Sequence, residues 1–163
     1  MMAKRIALAF CLLAVFTIAV RAQAPQSSTH ASLAGTTNTQ EKKTLYARLG
    51  GYDAIAAVTD DFVGRLVADK NLARFFVGHS EDSLKKIRMH VINQLCEAAG
   101  GPCNYTGRDM KAAHKGLGIT GAEWDASAKH LVDTLNKFKV GKAEQDELLA
   151  VVTSLRKDIV DKP

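Results

Sequence analysis

From about position 44 onward, apolar side chains recur every three or four residues. Ile55, Val58, Phe62 and Leu66 fall on one helical stripe, Trp124, Ala128, Leu131, Leu135 and Phe138 on a second, and Leu148, Val152, Leu155 and Ile159 on a third. No alternating, strand-like pattern competes with these stripes. The runs are interrupted at Gly50-Gly51, Gly100-Gly101-Pro102 and Val140-Gly141, while Thr120 with Glu123 three residues later makes a capping box that opens the Trp124 helix. The spacing predicts helices over 44–49, 52–69, 71–77, 81–99, 109–116, 121–138 and 143–160. This is an all-α domain with no internal repeat and no second domain.

The first residues follow a different logic. The basic pair Lys4 and Arg5, the 15-residue apolar run Ile6 to Val20, and small residues around Val20-Arg21-Ala22 have the three-part layout of a secretory signal cleaved after Ala22. The run falls short of the roughly 20 residues that cross a bilayer, so no stable membrane anchor is expected after cleavage. Residues 23–42 are rich in Ser, Thr, Gln and Ala with little to bury, and read as a disordered tether. The expected organisation is therefore a signal peptide over 1–22, a tether over 23–42 and one domain over 43–163, exported to the periplasm or secreted.

Processing also changes the charge. The full chain carries 22 Lys+Arg against 17 Asp+Glu; without Lys4, Arg5 and Arg21 it has 19 against 17. That balance, with no long basic block, leaves no electrostatic footprint for nucleic acid. Gly116-Leu117-Gly118-Ile119-Thr120-Gly121 matches the dinucleotide fingerprint by letter, but a helix rather than a strand precedes it, so it reads as a connection between helices. Asn104-Tyr105-Thr106 is formally a glycosylation acceptor, too short a match to carry weight. No hydrolytic triad, paired carboxylates or zinc spacing is present in the sequence.

The best candidate ligand is one histidine. His114 lies in Met110-Lys111-Ala112-Ala113-His114-Lys115-Gly116-Leu117, where Met110 at i−4 and Leu117 at i+3 put it on the apolar side of a short helix. Such a histidine is, by itself, more often packed or solvated than metal-bound. The surrounding motifs change its weight. Leu45-Tyr46, Leu49-Gly50-Gly51, Asp61-Phe62, Phe75-Phe76, Gly100-Gly101-Pro102, Tyr105-Thr106-Gly107 and Met110 with His114 occur in order over roughly 115 residues, and this segment resembles the group I truncated haemoglobins. The resemblance implies a two-over-two helical sandwich around haem b, with His114 as the proximal iron ligand. The pocket walls it implies are Phe62, Phe76, Ile87, Val91, Met110, Leu117, Ile119, Trp124 and Leu131; for most of these, plain core packing is the competing reading. The chain has no Cys-x-x-Cys-His for thioether attachment.

The chain also departs from that family. Its members commonly carry a Tyr just after the Phe of the second helix and a Gln at one or both of two distal-helix positions; here Val63, Ile87 and Val91 occupy those places. His90 aligns with a distal histidine that binds the iron in some cyanobacterial relatives. It lies about 60° from Ile87 on a helical wheel, at the flank of the stripe, so iron ligation, a haem-edge contact and a solvated side chain all stay open. Once the leader is removed, Cys96 and Cys103 remain. They bracket a glycine turn that permits a disulfide, and the alternative is a buried free thiol at Cys96 with Cys103 across the turn.

The leading functional expectation is an exported haem globin that binds dioxygen, nitric oxide or carbon monoxide opposite His114. Two alternatives stand beside it. One is haem-dependent redox turnover, such as nitric oxide dioxygenation or peroxidase-like chemistry served by an unidentified reductase. The other is a haemless helical interaction module.

Overall fold

The computed structural model describes residues 43–161; the leader and tether expected over 1–42 lie outside the described residues. Within them every regular element is helical: α1 Leu45–Leu49, α2 Gly51–Ala68, a single 3-10 turn Ala73–Phe75, α3 Glu81–Ala98, α4 Met110–His114, α5 Gly121–Lys137, α6 Lys142–Ser154 and α7 Arg156–Ile159. No described helix is long and apolar enough to cross a membrane.

Helix starts follow side-chain caps. Thr44, Ser80 and Asp109 each accept a backbone N–H at the head of α1, α3 and α4, and Thr120 with Glu123 forms the expected reciprocal box on α5. Between α1 and α2 the chain reverses through Gly50 and Gly51, at φ of 97° and 81°, a conformation that side-chain-bearing residues rarely adopt. Gly101 serves a different purpose. A Cβ there would sit 2.4 Å from the Tyr46 ring and 2.7 Å from Cys96 Sγ, so only glycine lets the turn after α3 lie against α1.

Two predicted helices are corrected. The helix expected over 71–77 is only the 3-10 turn, because Asp69 gathers the chain locally: its carbonyl accepts from Leu72 and Ala73 and its side chain from the Asn71 N–H at 2.8 Å. The long helix expected over 143–160 breaks at Leu155. Ser154 Oγ donates to the Val151 carbonyl at 2.7 Å, and the Leu155 N–H turns to Val152, three residues back, so α7 starts as a separate turn.

α2 packs against both α3 and α5, α1 against α6, and α4 against α7. One buried cluster joins Leu45, Val58, Ala99, Leu131, Leu135 and Leu148; another joins Ile55, Ile92 and Cys96. Both lie toward α1. Polar ties hold the layers in register: Asp61 on α2, with only 15% of its side chain exposed, accepts from Arg65 Nε at 2.7 Å, from Thr134 Oγ1 on α5 at 2.9 Å, and from Lys137. The Arg65 guanidinium first, then Lys137 and Thr134, hold the Asp61 carboxyl well below the usual carboxylate range against the opposing effect of burial. Cys96 and Cys103 are joined in a disulfide with Cα atoms 5.8 Å apart, which settles the question left open by the sequence.

Both ties are testable by denaturation. A depressed carboxylate stabilises the fold above its unfolded pKa and loses that contribution as pH falls. Asp61→Asn is therefore expected to be less stable than wild type at pH 7, with the gap narrowing as pH drops below about 4 in urea titrations. A gap constant down to pH 2.5 would contradict it. Cys103→Ser, which spares the fully buried Cys96, is expected to cost about 2–3 kcal/mol by freeing a short loop in the unfolded chain. An unchanged urea midpoint under non-reducing conditions would remove the bridge from the account.

Candidate functional site

Away from the two buried clusters, the helices do not close on one another. They enclose a cavity of about 800 Å³, toward the upper end of the roughly 300–1,000 Å³ typical of small-molecule sites. A separate apolar void of about 20 Å³ between α2, α5 and α6 admits no more than a water.

All ten residues singled out from the sequence line the large cavity. Phe62 enters from α2, Phe76 from just after the 3-10 turn, Ile87 and Val91 from α3, Met110 and His114 from α4, Leu117 and Ile119 from the connection, and Trp124 and Leu131 from α5. Ile119, Trp124 and Leu131 are buried, whereas Leu117 is 40% exposed and stands at the edge. Val63, at the place of the missing tyrosine, lines the same cavity.

Several lining residues escaped the sequence reading. Val152, Leu155 and Ile159 belong to an apolar stripe that was legible as core, but their place in the cavity wall was not. Gln94 lies three residues after Val91 and seven after Ile87, and helical spacing from those two would have found it. Tyr105 and Arg108 come from a loop without periodicity; the Tyr105-Thr106-Gly107 motif marked the loop, but nothing in the spacing turned it toward the cavity.

His114 is oriented by its own helix. Its Nδ1 lies 2.9 Å from the Met110 carbonyl oxygen, and because a carbonyl only accepts, Nδ1 carries the proton and donates. In the neutral ring Nε2 then keeps its lone pair, with no hydrogen-bond partner among the described residues. A fixed tautomer with one basic nitrogen facing a cavity is the arrangement a metal-binding imidazole requires. The short helix is pinned at both ends, by the Asp109 side chain at 2.8 Å from the Ala112 N–H and by the Leu117 N–H on the His114 carbonyl.

The cavity lining is mostly apolar, with a few polar side chains among it. His79, His90, Tyr105 and Arg108 are among these, and Arg108 forms no ion pair among the described residues. Glu123 also reaches the wall, but its carboxylate is taken: Thr120, then Arg74, hold it below the usual range, and Arg74 binds it through Nε at 3.0 Å and Nη2 at 2.8 Å. His90 is half-buried against the Tyr105 ring, edge-on at 5.9 Å between centroids, with Nδ1 buried and unpartnered. A freely solvated side chain is thereby excluded for it. The glycine-rich connection offers no phosphate cradle: the Gly118 N–H donates to Asp161 Oδ2 at 2.9 Å, and Asp161 N–H returns to the Ile119 carbonyl.

An apolar cleft with an imidazole oriented by its own helix at His114 and the uncommitted cation Arg108 in its lining suits a flat, largely apolar macrocycle that carries a metal and ionised carboxylates. The fold and this cavity together define a globin. Comparison with known proteins agrees: the sequence pattern of the bacterial-like globins matches residues 44–161. The chain is 34% identical over 119 residues to the group 1 truncated hemoglobin GlbN of Mycolicibacterium paratuberculosis, covering 73% of this chain and 85% of that protein. It is 32% identical to the group 1 truncated hemoglobin of Tetrahymena pyriformis, covering 74% and 97%. Among solved structures, the Fe(III) form of the Tetrahymena pyriformis protein superposes with a TM-score of 0.67 at 31% identity, over 74% of this chain and all of that one. The Synechococcus 2/2 hemoglobin, solved in the cyanomet state with covalently attached heme, also gives 0.67, at 32% identity and the same coverage. The chain belongs to the bacterial-like globin family as a group 1 truncated haemoglobin, and its cofactor is haem. A haemless interaction module is set aside by that membership.

Removing the free nitrogen tests its role. His114→Ala is expected to weaken haemin binding by more than the ~10–100-fold typical of losing an outer-shell partner, read by titrating the Soret band of folded apoprotein. Unchanged affinity with an unchanged spectrum would show that another residue holds the iron.

Proposed function

We propose that this protein is an exported haem b globin that takes up a diatomic ligand, dioxygen, nitric oxide or carbon monoxide, at the iron position opposite His114. The observation that carries the reading is the His114 geometry: Nδ1 is spent on the Met110 carbonyl, and Nε2 is left for the iron. Haem supplies the metal that binds the gas; the chain's residues do the rest. Phe62, Phe76, Trp124 and Leu131 exclude water from the cavity, and Arg108, which lines it, suits the haem carboxylates.

Val63, Ile87 and Val91, which line the cavity, take the places of the usual polar groups around the ligand, and none of them can donate a hydrogen bond. A pocket so lined releases a polar ligand faster than one with a tyrosine at the first place. Support for export comes from the signal-like leader and from the Cys96–Cys103 disulfide, a cross-link that persists in oxidising compartments and is rare in reducing ones.

Val63→Tyr tests the ligand reading. It is expected to slow dioxygen dissociation about tenfold, because one hydrogen bond in a dry pocket is worth on the order of 1 kcal/mol or more. Stopped-flow displacement of dioxygen by carbon monoxide measures the rate. An unchanged rate in a variant with normal haem content would mean either that Val63 does not face the ligand or that another group, such as His90, already supplies the bond.

A further inference from the structure

We propose that the Cys96–Cys103 bridge is a redox latch on the haem cavity: closed, it holds haem in place, and a dithiol that reduces it frees the strap 102–109 and lets haem leave. The proposal concerns haem retention and goes beyond the gas-binding reading. The strap runs from the turn after α3 to the Asp109 cap of α4, and four of its residues, Tyr105, Thr106, Gly107 and Arg108, line the cavity. No residue between 102 and 108 takes part in a backbone–backbone hydrogen bond among the described residues. The ties from the strap to α3 are instead the bridge, the Tyr105 N–H on Glu97 Oε2 at 3.1 Å, and the Tyr105 ring edge-on to His90. The Tyr105 hydroxyl bonds within the strap, to the Arg108 carbonyl at 2.6 Å. Of the ties to α3 only the bridge is covalent, and the Glu97 hydrogen bond is exposed to water, which competes for both partners.

The two sulfurs are placed for such a change. Cys103 is half-buried on the strap, whereas Cys96 is fully buried beside Ile55 and Ile92. A thiolate of the dithiol attacks Cys103 Sγ, the S–S bond breaks, and Cys96 Sγ leaves as a thiolate that takes up a proton. The second thiol of the reductant then closes it into its own disulfide and releases Cys103 as a thiol. Two electrons and two protons have passed from the dithiol to the bridge. As a neutral thiol Cys96 behaves as a small hydrophobe and suits its apolar cluster, so the helical core outlasts the reduction. The strap, without backbone hydrogen bonds of its own, loses its firmest anchor, and Arg108 and Tyr105 leave the cavity wall with it. An oxidising compartment closes the bridge and with it the cavity.

The test uses the full-length, haem-loaded protein with ferric iron. It is prepared with the bridge closed, and again after reduction by dithiothreitol and removal of the reductant under argon, and each form is mixed with excess apomyoglobin, which captures released haem. Opening the bridge is expected to speed haem transfer about tenfold, or about 1.4 kcal/mol in the barrier, and reoxidation to restore the slow rate. Cys103→Ser is expected to lose haem at the fast rate with or without dithiothreitol; the wild-type comparison stands if that variant fails to fold. Hydrogen exchange of the loaded protein is expected to quicken over 103–109 when the bridge opens and to stay unchanged in α2 and α5. Asp61→Asn separates a latch from a general loss of stability, because it weakens the fold away from the strap, and its haem transfer is expected to stay near the wild-type rate. The proposal is overturned if closed and open wild type lose haem equally fast, or if Asp61→Asn speeds the loss as much as opening the bridge does. Protein that holds haem but takes up no gas would overturn the gas-binding reading and leave the latch standing.

Discussion

The hydrogen bond from His114 Nδ1 to the Met110 carbonyl is the constraint on which the site depends. A histidine on a five-residue helix would otherwise be free to rotate, and either tautomer would be accessible. Spending one nitrogen on the backbone of its own helix fixes both ring orientation and proton position, and presents a single basic nitrogen to the cavity.

Because α4 is too short to be stable alone, its neighbours must hold it. α7 packs on it, and the connection that follows it is locked by Asp161 on Gly118 and by Arg74, which binds Glu123 and reaches the Leu117 and Gly118 carbonyls. On the opposite wall, the disulfide fastens the end of α3 to the loop that leads into α4. The two sides of the cavity are thus joined by a short covalent path, while Asp61 and the buried clusters near α1 set the spacing of the layers. The core is concentrated at that end of the molecule, which lets the rest stand open around haem without collapsing.

Much of this was legible in the sequence because amphipathic helices declare themselves by spacing. Six of the seven predicted helices exist, and the Thr120 box, the glycine reversals and the position of His114 on an apolar side were all readable from local chemistry. What escaped depends on competition between local bonds. Asp69 diverts residues 71–77 from an α-helix, and Ser154 breaks the last helix, neither of which alters the apolar pattern. Arg108 and Tyr105 reach the cavity from an aperiodic loop whose path is set by a cross-link that the sequence allowed without requiring. Gln94 was hidden for another reason: a polar residue on an apolar stripe looks like an interruption until the cavity it faces is seen.

The central claim is that one imidazole, that of His114, holds the iron while the opposite side stays open for a gas. Resonance Raman spectroscopy of the reduced, gas-free wild-type protein, grown with and without ¹⁵N-labelled histidine, tests it most directly. The account predicts a five-coordinate, high-spin spectrum with an iron–nitrogen stretch that shifts on labelling. A six-coordinate, low-spin spectrum, or an iron–ligand band indifferent to the histidine label, would contradict it.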